Sequence, residues 1–308
     1  MPEKEEGSRL DSMMDKSDSR ISHFLLAAVV LLWGANVGII KAAYPYINPV
    51  LFAALRFTVC GILMLLLVLW KERELRIQKQ DWNTVLVVGA LGIGIYQILW
   101  SVGLQWTSAT NSALIFTIQP LLGAVYADLT KKESIDRQRY MGMLLALGGV
   151  VLVILKPTAG LHFSTETLLG DFVNLLSATC GAIFFTVWPR PLLKRYSPMR
   201  LLGYCMTIGS LILWIAVPFC GKLMALDQIG EKAWWPLLYS ILFAGMLGHT
   251  LWYEAIGRIG PTKTLIYHYF IPMWATVFNH FLLGEEVFPQ QIIGGVLILW
   301  GVHYALRG

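Results

Sequence analysis

Residues 131–139 read KKESIDRQR, and residues 283–291, 152 positions later, read LGEEVFPQQ. The first stretch holds four basic residues, and the second holds none and two acids. Between them the chain repeats itself without a gap: Thr110 falls on Thr262, Pro120 on Pro272, Glu133 on Glu285, Gln138 on Gln290, Gly142 on Gly294 and Gly149 on Gly301. Residues 103–151 match 255–303 at 10 of 49 positions. The halves therefore share a plan, while their charge is reversed. The connection 103–110 has no basic residue, and its partner region carries Arg258 and Lys263.

Charge reversal has a physical meaning only in a membrane, and the composition places the chain there. Of 308 residues, 56% are hydrophobic and 14% charged, with a mean hydropathy of +0.61. That is too little charge to coat a water-facing surface. Lys, Arg, Glu, Gly-Pro and Asn-Pro serve as punctuation and predict ten crossings, near 22–42, 49–70, 82–104, 107–128, 139–156, 168–189, 199–221, 233–256, 260–283 and 288–306. Each is about the 20 residues that span a hydrocarbon core, which leaves no room for a soluble catalytic domain.

Basic residues near helix ends stay on the cytoplasmic side. With the amino terminus inside, nineteen of the 24 Lys and Arg fall inside, four outside (Lys41, Lys156, Lys222 and Lys232), and Arg56 lies within a span. The expected protein is all-α, in the cell inner (plasma) membrane, with both termini cytoplasmic. It has a disordered cytoplasmic tail at 1–20, a first five-helix repeat at 21–156 and a second at 157–308. An odd number of helices per repeat turns the second copy upside down. Inverted repeats build alternating-access transporters, with the substrate near the midplane. The tail is acidic-rich and the next apolar run is long enough to span, against a cleaved signal peptide.

The run Trp33-Gly34-Ala35-Asn36 ending at Lys41, Leu55-Arg56-Phe57, Thr107-Ser108-Ala109 to Ala113-Leu114 with Pro120, and Gly284-Glu285 followed by Gly294-Gly295 resemble the EamA-type branch of the drug/metabolite transporter superfamily. The resemblance covers nearly the whole chain after residue 20. It implies ten helices in two inverted repeats around a central cavity lined by the first, third and fourth helix of each half. It also implies export of amino acids or related amphipathic metabolites. The second copy departs from the usual pattern at Lys263 and His268.

The candidate substrate contacts follow from helical spacing. Trp33 and Asn36 share a face of the first helix, with an interhelical hydrogen bond as the alternative role for Asn36, and Tyr96, Gln97 and Trp100 share a face of the third. The repeat sets Gln97 opposite His249, whose helix also presents Trp252 and Tyr253, and sets Asn111 opposite Lys263. His268, between two tyrosines, is a further wall candidate. Pro120 and Pro272 remove a helical hydrogen bond in mid-span, facing the carbonyls of Phe116 and His268, and are candidate gates alongside Glu254, Lys263 and Arg56. A cation inside a membrane span is a functional candidate by default, with a structural ion pair as the alternative. Glu254, at the end of the eighth span, is expected to pair with Lys263 when the cavity is open outward, with a pair to Arg258 one turn on as the alternative.

No catalytic residue, metal or cofactor is expected, and the four cysteines, in or at the edge of apolar segments, read as packing residues. The chain has no phosphate-binding Gly-x-x-x-x-Gly-Lys-Ser/Thr loop, which excludes an ATP-driven pump, and no His-Glu-x-x-His or Gly-x-Ser-x-Gly motif for a membrane enzyme. A channel would need a continuous polar lining. The expected partners are a small-molecule substrate and the lipid bilayer, not nucleic acid, with a homodimer left open. Nucleotide-type or drug-like compounds are the alternative substrates.

Overall fold

The computed structural model describes residues 2–107, 109–155, 167–220, 229–283 and 287–307, and every regular element among them is helical. α1 runs Pro2–Ala43, α2 Pro49–Glu72, α3 Trp82–Gly89, α4 Tyr96–Trp106, α5 Ala109–Phe116, α6 Gln119–Leu129 and α7 Arg137–Ile154. The second half follows with α8 Leu168–Cys180, α9 Pro198–Ala216, α10 Trp234–Tyr239, α11 His249–Ile259, α12 Pro261–Ile266, α13 Phe270–Leu283 and α14 Pro289–Arg307. Helix starts obey local chemistry. Asn48 Oδ1 accepts from the N–H groups of Val50 at 2.9 Å and Leu51 at 3.1 Å, and Pro49 occupies the first turn. Asp136 Oδ1 caps α7 through Arg139 N at 2.7 Å.

Seven helical stretches among the described residues are long and apolar enough to cross a membrane: Arg20–Ile40, Pro49–Glu72, Lys79–Trp106, Asn111–Leu129, Arg137–Ile154, Leu168–Lys194 and Pro198–Ala216. Three further helical passages, 234–259, 261–283 and 289–307, coincide with the last three expected spans. They carry Trp234, Trp235 and His249, the Tyr267-His268-Tyr269 run, and Gln290, Gln291 and His303 in place of aliphatic residues. Helix also extends through residues expected as a disordered tail. No proline follows Pro2 before Pro45, and adding turns to an existing helix avoids the cost of a new nucleus.

The two halves meet along α7 and α14. A Cβ on Gly149 would lie 2.6 Å from Gly294 O, and one on Gly301 would lie 2.4 Å from Ala146 N and 2.8 Å from Gly142 O. Only glycine lets two helix backbones approach this closely. Residue numbers rise along one helix as they fall along the other, so these two equivalent helices run antiparallel. Adding 152 to the pair Gly149 and Gly294 gives Gly301 on one side, and its contact is Gly142, the residue 152 before Gly294.

Three helical passages contain a wide π turn, at Ala90–Ile95, Gly181–Val187 and Ser240–Gly248. The offset of 152 carries the first onto 242–247, inside the third. A Cβ on Gly92 would lie 2.8 Å from Phe185 N, so the first two wide turns touch main chain to main chain. The proline breaks are also equivalent. Thr117 N and Ile118 N bond back only three residues, to Leu114 O and Ile115 O, ahead of Pro120. The tight turn Tyr267–Tyr269 precedes Pro272.

Outward-facing positions carry large apolar side chains such as Leu66, Trp70, Ile215, Phe219 and Trp300, all exposed. A soluble chain would not leave so many together on its surface.

Candidate functional site

The centre of the bundle is a ring cluster built by α1, α2, α11 and the turn at Tyr267–Tyr269. Trp33 lies 5.2 Å from the His249 ring, 5.1 Å from Trp252 and 5.7 Å from His268, between ring centroids. Trp252 and His268 stack at 4.6 Å, 17° from parallel. Phe57 at 6.1 Å and Phe185 at 5.3 Å meet His249 edge-on, and Phe185 reaches Tyr253 at 5.3 Å. Such tilted and offset pairs are the favoured ring geometries. Gly248 makes room for this centre, since a Cβ there would lie 2.6 Å from Trp33 Nε1.

The wide turn Ser240–Gly248 orients the cluster. Trp33 Nε1 donates to Ala244 O at 3.0 Å, and His249 Nδ1 donates to the same carbonyl at 2.8 Å. A carbonyl can only accept, so His249 carries its proton on Nδ1 when neutral. His268 Nε2, Trp252 Nε1 and Tyr253 Oη are buried and meet no hydrogen-bonding partner among the described residues.

Tyr96 and Trp100 face Phe116, at 6.2 and 6.3 Å, in a second cluster belonging to the first half. Gly181 lets Gln119 and Tyr96 close in, with a Cβ position 2.8 Å from Gln119 Nε2 and 3.0 Å from Tyr96 Cε2. Ser177 Oγ donates to Tyr96 O at 2.8 Å. Arg56 is a buried charge beside the first cluster. Only 5% exposed, it places its guanidinium carbon 4.4 Å from the centre of the Phe57 ring, which meets His249 edge-on.

Of the expected contacts, Trp33, His249, Trp252, Tyr253 and His268 come together, while Tyr96 and Trp100 form the neighbouring group. Gln97 is buried on α4 with Oε1 unpartnered. Asn36 points to another task, its Oδ1 accepting from the buried Ser240 Oγ at 2.7 Å. Asn111 lies outside the centre, where its Nδ2 donates to both oxygens of Asp171 at 3.3 Å. Pro120 and Pro272 follow the helix breaks described above. Glu254 pairs with Arg258 at 2.7 Å within α11 instead of with Lys263, whose charge acts on His23.

Both ends of the bundle are tied, and most of those ties join residues far apart in sequence. At the basic end Arg190 meets Glu133 at 2.5 Å, Arg195 meets Asp81 at 2.9 Å, and Arg200 meets Glu72 at 2.7 Å. Tyr196 Oη donates to Asp81 Oδ2 at 2.6 Å and accepts from Gln78 N at 3.0 Å. Burial, reinforced by the Asp81 carboxylate, holds the Tyr196 phenol above its ordinary pKa. A cavity of about 210 Å³ sits at this end, lined by Asp81, Thr84, Lys132, Trp188 and Arg195 among others, and does not reach the ring cluster. At the opposite end Thr107 Oγ1 donates to Asp171 at 2.5 Å, and Asn48 Nδ2 donates to Cys220 O at 3.3 Å. Every end-to-end tie named here joins a first-half residue to a second-half residue. Asp171, Asp81 and Ser240 gave no local signal in the sequence, and Glu133 gave one only through the repeat.

Comparison with known proteins matches the profile of the EamA-like transporter family twice, over residues 20–155 and 168–307. An uncharacterized transporter, YyaM of Bacillus subtilis (strain 168), is 29% identical over 281 residues, covering 91% of this chain and 92% of that protein. An uncharacterized transporter of Archaeoglobus fulgidus is 25% identical over 284 residues, covering 92% of this chain and 96% of that one. A chloroplastic WAT1-related protein of Arabidopsis thaliana is 28% identical over 287 residues, covering 91% of this chain and 68% of that protein. A solved crystal structure superposes with a TM-score of 0.81 over 93% of this chain and 96% of its own, at 18% identity, which shows a shared fold. The two matches span almost all of a chain with many apolar helices, so this multi-pass membrane protein belongs to the EamA-like transporter family.

Proposed function

We propose that the chain is a secondary transporter that exports a small metabolite, an amino acid or related amphipathic compound, by alternating access. In this reading all ten helical passages cross the plasma membrane, the two halves are inverted copies, and the basic end faces the cytoplasm. The reading is supported chiefly by one observation. An aromatic and polar centre is enclosed by two sets of inter-half ties, so that releasing one set at a time would open the centre to one side only. The antiparallel glycine seam and the equivalent wide turns favour inversion, and the charge reversal between 131–139 and 283–291 favours the orientation.

The test is solute flux in liposomes containing the purified protein. Saturable uptake that is accelerated by the same solute preloaded on the other side supports alternating access. Uptake that is linear with concentration and insensitive to preloading refutes it.

A further inference from the structure

We propose that Arg56 is the receptor for a negatively charged group of the solute, and that the solute is therefore a small carboxylate; this rests on the transporter reading above. Arg56 is the eighth of the 24 residues of α2 and 5% exposed. Its guanidinium has five N–H donors, and none meets an acceptor among the described residues, with Nε fully enclosed. The Phe57 ring, its centre 4.4 Å from the guanidinium carbon, offers a quadrupole to the cation. A ring carries no charge and does not replace an anion.

A guanidinium cannot escape by losing its proton, and an unpaired ion in a low-dielectric interior is costly. Among the described residues, no carboxylate forms an ion pair with Arg56. From Arg20 to Leu69 the sequence contains no acid. Glu72, Asp81 and Glu133 are engaged at the basic end, Asp171 with Thr107 and Asn111, and Glu254 with Arg258. Residues 201–216 of α9, which packs along α2, contain no charged residue, so the cation belongs to one half only. What is missing is an anion that comes and goes.

The surroundings suit a carboxylate. The forked guanidinium matches its two oxygens. The guanidinium carbon stands 4.4 Å from the centre of the Phe57 ring, and that ring meets His249 edge-on, so an anion bound here would lie beside the ring cluster. An apolar or aromatic body attached to it would find Phe57 and, around His249, Trp33 and Phe185.

The experiment measures thermal unfolding of the full-length protein in detergent with benzoate, succinate, L-phenylalanine and L-glutamate, each against its carboxamide. At least one acid is expected to raise the melting temperature where its amide does not. Arg56→Gln should abolish that response and Arg56→Lys should retain part of it. Unliganded Arg56→Gln should melt no earlier than the wild type, because it removes a charge without stranding a partner. The proposal is overturned if amides stabilise as well as acids, if no acid stabilises, if the response survives in Arg56→Gln, or if that variant melts earlier without ligand. Saturable counterflow of a neutral or cationic solute that Arg56→Gln leaves unchanged would also overturn it, while the transporter reading would stand.

Discussion

Replacing Gly149 by alanine should force α7 and α14 apart, while the same change at its neighbour Gly148 should not. An added Cβ at Gly149 would sit 2.6 Å from Gly294 O and 2.8 Å from Ile298 N, whereas at Gly148 nothing lies within 4 Å. Ordinary Cβ contacts begin at 3.4 Å, so the backbones must separate by 0.8 Å, the difference between 3.4 and 2.6 Å. Both obstructing atoms are main chain, so no side chain can swing aside. Overpacking of this kind costs about 1–3 kcal/mol. Alanine returns about 1 kcal/mol over glycine in a helix interior, and Gly148→Ala keeps that gain with no clash. The propensity gain is common to both, so the two variants should differ by the clash alone, about 1–3 kcal/mol in unfolding free energy, read by denaturant titration in detergent. Gly301→Ala, the equivalent position on α14, would bring a Cβ to 2.4 Å from Ala146 N and should cost about as much as Gly149→Ala. Equal stability of the Gly148 and Gly149 variants, or an unaffected Gly301→Ala, would refute the seam as drawn.

Three other changes test the ties. Gly260 has φ +86°, and a Cβ there would meet Glu133 Oε1 at 2.4 Å, so Gly260→Ala should cost about 1–3 kcal/mol and loosen the Glu133 to Arg190 pair. A cysteine at Lys131 should label faster in that variant, and an unchanged rate and melting temperature would mean that the pair does not hold this end closed. Asn36→Leu leaves the buried Ser240 hydroxyl without its acceptor and should cost about 1–3 kcal/mol, part of it recovered by adding Ser240→Ala. Strict additivity in that double-variant cycle would mean the two side chains do not interact. Gly248→Ala pushes on Trp33 Nε1 and should slow flux with little loss of folded protein, while full flux would make the Trp33 position a packing detail.

The helix positions and the proline breaks were legible because each rests on residues close in sequence or on the repeat. Pro49 after Asn48 announces the start of α2, and Pro120 with Pro272 announces two helix breaks, wherever the rest of the chain lies. The wide turns were not legible. ALGIGI at 90–95 reads as any apolar helix, and it is the approach of Gly92 to the main chain of Phe184 and Phe185 that accompanies the extra width. The ties were hidden for a different reason. Asp81 and Arg195 are 114 residues apart, and neither has a local pattern that predicts the other. Glu254 had two partners open to it, and the one four residues along its own helix is the one it holds in this conformation. For the centre, spacing put His249, Trp252 and Tyr253 on one face, and all three lie beyond the wide turn on one unbroken helix.

A wide turn carries one residue more than a regular turn would need, and that surplus has a place along the helix. At Ser240–Gly248 the place is marked from outside, because the Ala244 carbonyl is held by Trp33 of α1 and by His249 one residue beyond the turn. Moving the surplus by one position rotates the intervening segment by about 100°. The Ala244 carbonyl would turn with it, and the indole and the imidazole would lose their shared acceptor in the same step. The register of α11 against α10 is thereby recorded at a side chain of a third helix, and it changes by whole residues instead of by degrees.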